Sequence, residues 1–402
     1  MKRLSLSLVL MLLIAFFCMQ ASCFAEKPES ISIGVMGDFS GPYAPVVGPT
    51  RPGTLDAWQY LNKEAGGIQG IKLEPILKDM GGKVDVGQSQ YNELVSMKPK
   101  PIFIDMYITP LAAALRNRFV EDNVVSLVPG AGESLYPVGN SYAYYALYPE
   151  QIGVVLKWIK DNWKKKENPK FGIITWDTGY GRAIVTEEFY NWAEKIGVDI
   201  VDTQLFGIRD VDLTPQLMKL RAKNPDYLIT NSTASGPLAI KKGLKEMGWD
   251  IKLINTSGGD WGTAALDPSL FEGDLVALHV KSFDEVDDPS IKTVMTYFTA
   301  NNRTEKDKSL FYLVGWQVAL LEHKILNQVV KDHGWKGLNA ENVMKELNNL
   351  KDFAPLEGIT KMSYSEKRRS PTVARVYKIT KGKFLPVTDF VETPDLRPAK
   401  FK

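Results

Sequence analysis

A chain of 402 residues, 44% of them hydrophobic and 10% aromatic, is long enough for two or more domains with full cores. Lys and Arg number 49 against 47 Asp and Glu, a near-neutral balance that speaks against nucleic acid as a partner and supplies no polybasic membrane anchor. Both cysteines, Cys18 and Cys23, lie close to the start, so stability has to come from apolar cores and not from disulfides.

Lys2 and Arg3 precede an apolar run, Leu4 to Phe17, and then small residues up to Ala25. That is the order of a secretory signal peptide, residues 1–25, and the run is short of the ~20 residues a membrane span needs. Cleavage after Ala25 is expected, giving an exported, soluble chain without cysteine and with no net charge. Lipid attachment at Cys23 is the lesser reading, because Gln20-Ala21-Ser22 fits such a site poorly.

Ile31 to Met36 alternates as a strand, and Gly37 to Pro52 is rich in Gly and Pro and reads as a loop. Gly53 to Ala65 has helical spacing with Leu55, Trp58 and Leu61 on one side, and Gly66-Gly67 stops it. Strands at 71–77, 102–105 and 124–128 alternate with helices at 86–97 and 110–121. The rhythm restarts after Tyr148, with helices at 151–165, 180–196, 213–222 and 237–247. Strands at 171–175, 199–205, 227–230, 252–255 and 275–278 fall between and after them. Helices at 289–301, 310–330 and 340–350 follow, and the tail from Ile359 to Val387 reads as β-hairpins. Strand–helix alternation occurring twice predicts an α/β protein of two Rossmann-like lobes with parallel central sheets.

Ligands in such sheets sit beyond the carboxyl ends of strands. Several ends here share hydroxyls, glycine and a helix start: Met106-Tyr107-Ile108-Thr109-Pro110, Gly130-Ala131-Gly132, Asp177-Thr178-Gly179-Tyr180-Gly181-Arg182, Thr230-Asn231-Ser232-Thr233 and Thr256-Ser257-Gly258-Gly259-Asp260-Trp261. Free N–H groups and a hydroxyl at a helix start suit a carboxylate, and Tyr43, Tyr107, Tyr180 and Trp261 are placed to wall a small molecule. Thr109 followed by Pro110 is also what ordinary helix capping needs, so each end taken singly admits that plainer reading. Arg51 and Arg182 are candidates to clamp a carboxylate, which would favour an aromatic or other organic acid.

Enzyme chemistry finds little support. The only histidines are His279, His323 and His333, no Gly-x-Ser-x-Gly elbow or phosphate loop occurs, and no His/Cys spacing suits zinc. No cofactor is expected.

Residues 31 to 391 resemble the type I periplasmic binding proteins of the Leu/Ile/Val-binding family. The resemblance rests on Ile33-Gly34-Val35-Met36-Gly37-Asp38-Phe39-Ser40-Gly41-Pro42-Tyr43-Ala44, on Leu61-Asn62 with Gly66-Gly67-Ile68-Gln69-Gly70, on Asp177 to Gly181, on Leu356-Glu357-Gly358-Ile359, and on Arg375 to Phe384. It implies two lobes joined by a multi-strand hinge, lobe 1 from 31–146 and 281–358, lobe 2 from 147–280 and 359–395. It also implies a periplasmic, monomeric solute-binding protein of an ABC importer, which hands an amino acid or related carboxylate to a permease in the inner membrane. A ligand-sensing receptor, or a binder of amides or aromatic acids, is the alternative. Thr109 falls where the family holds the ligand carboxylate, and Gly130, Ala131 and Gly132 on its ligand loop, with Gly132 lacking the frequent hydroxyl. Tyr180 matches a covering tyrosine, Thr233 lies near another contact, and Ser257 stands where amino-acid binders keep an acid. Asp260 or Glu133 would have to replace that acid.

Overall fold

The computed structural model describes residues 27–233, 235–256, 267 and 269–402. The leader with Cys23, together with Ser257, Asp260 and Trp261, lies outside the described residues.

The first sheet is built from β1 (Ser30–Gly37), β2 (Lys72–Asp79) and β3 (Ile104–Met106), parallel in the order β2-β1-β3. A bridge from Phe103 to Val125 continues it to the parallel pair β4 (Ser126–Val128) and β5 (Ser141–Ala143). The second sheet holds β6 (Lys170–Trp176), β7 (Asp199–Phe206), β8 (Tyr227–Thr230), β9 (Lys252–Asn255) and β10 (Leu275–Leu278), parallel in the order β7-β6-β8-β9-β10. Two antiparallel strands, β11 (Val373–Thr380) and β12 (Lys383–Pro386), extend it past β10, and β13 (Val391–Glu392) pairs with β11. The result is a two-lobed α/β architecture. The chain passes between the sheets after β5, again after β10, and a last time before β11. The later two passages lie side by side: Val280 bridges Thr360, and the Thr360 hydroxyl donates to the His279 carbonyl at 2.8 Å.

Local chemistry explains where the expected elements shifted. Helix α2 (Thr50–Glu64), which follows the short α1 (Ala44–Val47), starts inside the stretch expected to be a loop. Pro52 is tolerated there because first-turn N–H groups have no partner inside the helix. Its buried face is Gly53, Thr54, Ala57, Trp58 and Leu61, whereas Leu55 points outward. The helix expected over 180–196 is two pieces, Gly179–Arg182 and Glu187–Lys195. The Thr186 hydroxyl caps the second by accepting from the Phe189 N–H at 3.3 Å. The helix Tyr148–Asp161 begins three positions ahead of expectation, with the Glu150 carboxylate accepting the Leu147 N–H at 3.1 Å. β5 went unforeseen because three residues are too few to show a period.

The long helix Leu310–His333 lies against α2 with backbone touching backbone. A Cβ on Gly53 would stand 2.1 Å from the Tyr312 carbonyl oxygen, and one on Gly315 2.6 Å from the Thr54 nitrogen. Glycine at both positions is therefore a packing requirement. Next to that crossing, the Asp56 carboxylate accepts from the Tyr312 hydroxyl at 2.5 Å and from the Arg303 Nε at 2.9 Å.

Asp105 at the end of β3 and Glu322 on the long helix are both buried. Burial pushes Asp105 up to about 7, and burial followed by the neighbouring Asp105 carboxyl pushes Glu322 well above the ordinary carboxyl range. Such a pair binds more protons folded than unfolded, where both would titrate near pH 4. It therefore costs stability as pH rises from about 4 through about 7. Urea unfolding at pH 5 and pH 8 should show the parent chain losing more stability across that interval than Glu322→Gln, by on the order of 1 kcal/mol. Equal losses would mean that the pair ionises freely. Gly53→Val should cost about 2 kcal/mol or more in the same experiment, because the two helix backbones must move apart.

Candidate functional site

A cleft with about 400 Å³ of space free of protein atoms opens between the two sheets. It is lined by Tyr43, Val46, Val47, Tyr107, Ile108, Thr109 and Pro110 from the first sheet's side, with Phe311 from the long helix. Tyr145 and Tyr148 come from the crossing segment, and Tyr180 and Thr233 from the second sheet's side.

Each wall has an identifiable support. The turn before Tyr43 is held by Asp38, whose carboxylate accepts the Gly41 N–H at 2.6 Å and the Tyr43 N–H at 2.9 Å. Asp79, at the end of β2, accepts the Phe39 N–H at 2.9 Å. Tyr43 then meets Trp176, on the last residue of β6, edge to face at 6.0 Å, so the two lobes touch at the rim.

Thr109 was expected to cap its helix. It is instead the first residue of the helix Thr109–Glu121, behind Ile108, and its hydroxyl makes no capping bond. That leaves the oxygen in the cleft wall, 3.5 Å from the Tyr148 hydroxyl. Tyr148 in turn lies 2.7 Å from the Tyr145 hydroxyl, and its ring meets Tyr180 edge to face at 5.0 Å. The Tyr180 hydroxyl stands 3.4 Å from that of Thr256, which donates to Asn231 at 2.5 Å, and Asn231 returns a bond to the Tyr180 carbonyl. Hydroxyl contacts on either side, joined by the Tyr148–Tyr180 ring pair, thus link lobe 1 through the crossing segment to lobe 2.

Burial pushes the Tyr145 and Tyr148 hydroxyls far above the ordinary phenol value, and burial followed by the neighbouring Asp38 raises Tyr43. These groups remain protonated at neutral pH and present O–H donors to the cleft.

The other expected residues lie apart from the lining. Gly130 is buried behind it. Its carbonyl accepts the Tyr148 N–H at 2.9 Å, and a Cβ there would come within 2.4 Å of the Ala146 oxygen. Ala131 is buried too, and the open side of Gly132 faces Pro398. Arg182 is exposed and pairs with Asp177 at 2.5 Å, and Arg51 is exposed on the first turn of α2. Neither guanidinium joins the wall. Glu133 approaches Gly179, placing its carboxylate at the boundary between the lobes.

Tyr145, Tyr148, Val46, Val47 and Phe311 were missed. The run Tyr142-Ala143-Tyr144-Tyr145-Ala146-Leu147-Tyr148 was a usable signal, since so dense an aromatic stretch falls where one strand–helix rhythm ends and the next begins. Phe311 carried none, being brought in by packing between segments some 250 positions apart. Of the histidines, His279 is buried against Tyr145 with ring centroids 4.5 Å apart, and burial alone drives its pKa down to about 3. It is a neutral ring buried behind the wall. His323 contacts the Gly67 carbonyl at 3.0 Å, far from the cleft. Among the described residues no cluster of three His, Cys, Asp or Glu side chains suits a metal, and no helix is long and apolar enough to cross a membrane.

The Leu-, Ile-, Val-, Thr- and Ala-binding protein of Pseudomonas aeruginosa is 22% identical over 288 residues, 70% of this chain and 74% of that protein. A branched-chain amino acid ABC transporter protein from Thermus thermophilus with bound valine superposes with a TM-score of 0.81 at 19% identity, over 91% of this chain and 97% of that one. A fatty acid ABC transporter substrate-binding protein from Thermomonospora curvata gives 0.78 at 18% identity, over 93% and 95%. The family described as periplasmic binding protein matches residues 30–383, and with a cleft walled from two parallel sheets already in view, this chain belongs to that family of extracytoplasmic small-molecule binders.

Proposed function

We propose that the protein is the solute-binding component of an ABC importer, closing its lobes on a small organic molecule and passing it to a membrane permease without chemical change. The observation that carries this reading is the shared wall: Thr109 and Phe311 from one lobe and Tyr180 and Thr233 from the other line one cleft. A molecule held there touches both lobes only when they are closed, so it draws the equilibrium toward the closed form. Lobe 1 comprises 31–146 and 281–358, and lobe 2 comprises 147–280 and 359–395. Residues 1–25 act as the export leader, and the mature chain works as a periplasmic monomer without nucleic acid.

The lining favours a compact apolar body with a carboxylate or amide at one end. Rings and branched side chains supply most of the surface, and phenol and threonine hydroxyls supply the polar contacts. No charged side chain is among the described lining residues. A free ammonium group would need Asp260 or Glu133 for its counter-charge. The relatives' named ligands, branched-chain amino acids and a fatty acid, share that apolar body.

A thermal-shift panel of valine, leucine, short amides, benzoate-type acids and medium-chain fatty acids should contain at least one stabilising compound. Saturation at a hundredfold over Kd is worth about 2.7 kcal/mol. For the compound found, Tyr180→Ala and Thr109→Ala should each weaken binding about tenfold or more by calorimetry, with Lys164→Ala as an unaffected surface control. A panel without any shift would remove the transport reading, and unchanged affinity in both variants would move the site.

A further inference from the structure

The family match ends at residue 383, yet the chain beyond β12 is ordered against both lobes. Its first anchor is on lobe 2. A Cβ on Gly153, in the helix Tyr148–Asp161, would stand 2.5 Å from the Pro394 ring, so this helix surface is shaped to the segment. The Leu396 N–H donates to Glu150 at 3.1 Å. Glu150 is fully buried and is gripped by both Arg368 Nη atoms at 2.8 and 2.7 Å. Asp395 joins the cluster through Arg368 at 3.1 Å and Arg397 at 2.7 Å, and Arg397 donates to the Lys367 carbonyl at 2.9 Å. Farther along, the Ala399 N–H donates to Glu188 of the helix Glu187–Lys195 at 3.0 Å.

The second anchor is on lobe 1. The Phe401 ring stacks on Tyr136 with centroids 5.2 Å apart and planes 15° apart, and Pro398 faces Gly132. Arg116, on the helix Thr109–Glu121, donates to the Tyr136 carbonyl, which ties this anchor to the helix that begins in the cleft wall. Between the two anchors lies the boundary where Glu133 of lobe 1 approaches Gly179 of lobe 2. We propose that residues 394–402 form a clasp across the lobes, fixed to lobe 2 through Glu150 and Glu188 and docked on lobe 1 through Phe401 on Tyr136, and that it biases the ligand-free chain toward the closed form. This rests on the hinge-closure reading above. The clasp touches no cleft-lining side chain, so its influence on affinity runs through the fraction of molecules already closed.

The test needs no ligand. No cysteine occurs beyond Cys23, so Lys83→Cys and Val211→Cys, both at exposed positions on opposite lobes, place a spin-label pair without interference. Pulsed electron resonance on the ligand-free protein should give a distance distribution dominated by the closed separation. Phe401→Ala should lower the closed-to-open ratio about threefold to tenfold, the range set by one lost ring pair, and adding Glu188→Ala should lower it further. Phe401→Tyr should restore the parent distribution. An identical distribution in parent and Phe401→Ala, or a parent already wholly open, overturns the clasp. A compound panel without hits would strike at ligand capture and leave this readout standing.

Discussion

The backbone contact between α2 and the long helix Leu310–His333 is the constraint on which the cleft depends. Glycine at 53 and 315 lets the two helices approach to atomic contact, and that approach fixes the floor of the site. Phe311 sits at the first turn of one helix, and Val46 and Val47 lie just ahead of the other. A wider crossing would draw these side chains away from the tyrosines facing them. Asp56 shares in the same junction, tying α2 to Tyr312 and to Arg303 with buried, charge-assisted bonds.

Around that floor, charge is kept out of the wall among the described residues. Asp38 is used up by the N–H groups of its own turn, and Asp177 by Arg182. Among the described residues, what faces the cleft is neutral and half aromatic, with hydroxyls as the polar contacts. In a low-dielectric cleft those hydroxyls give directional bonds without the desolvation penalty of an ionised side chain. Contacts from Thr109 through Tyr148 and Tyr180 to Thr256 and Asn231 connect the two walls.

Much of this was legible before any coordinates. The double strand–helix rhythm gave the two sheets, and the hydroxyl-bearing strand ends around Thr109, Tyr180 and Thr233 converge on one cleft. What escaped was decided by tertiary packing. The helix at Thr50 begins within a Pro- and Gly-rich stretch because Pro52 costs nothing in a first turn. Thr109 looked like a cap, yet the cap position falls to Ile108 and the hydroxyl turns to the cleft. Arg182 was a fair candidate for a clamp by sequence proximity to Tyr180. The helical step between them sends its side chain outward to Asp177. Phe311 and the clasp at Phe401 involve partners hundreds of residues or half a fold away, and no local pattern encodes such distances.

The discontinuity of lobe 1 bears on how the chain acquires its structure. Its sheet is complete by Ala143, but the helix that covers it spans Leu310–His333, with all of β6 to β10 in between. During vectorial emergence the first sheet waits for that helix while the parallel strands β6 to β10 of the second sheet are made. Loop closure over that separation has to come before any packing reward. Lobe 2's parallel core can assemble while lobe 1 is still waiting. Each lobe therefore waits on a later segment, lobe 1 on Leu310–His333 and the second sheet on β11 and β12.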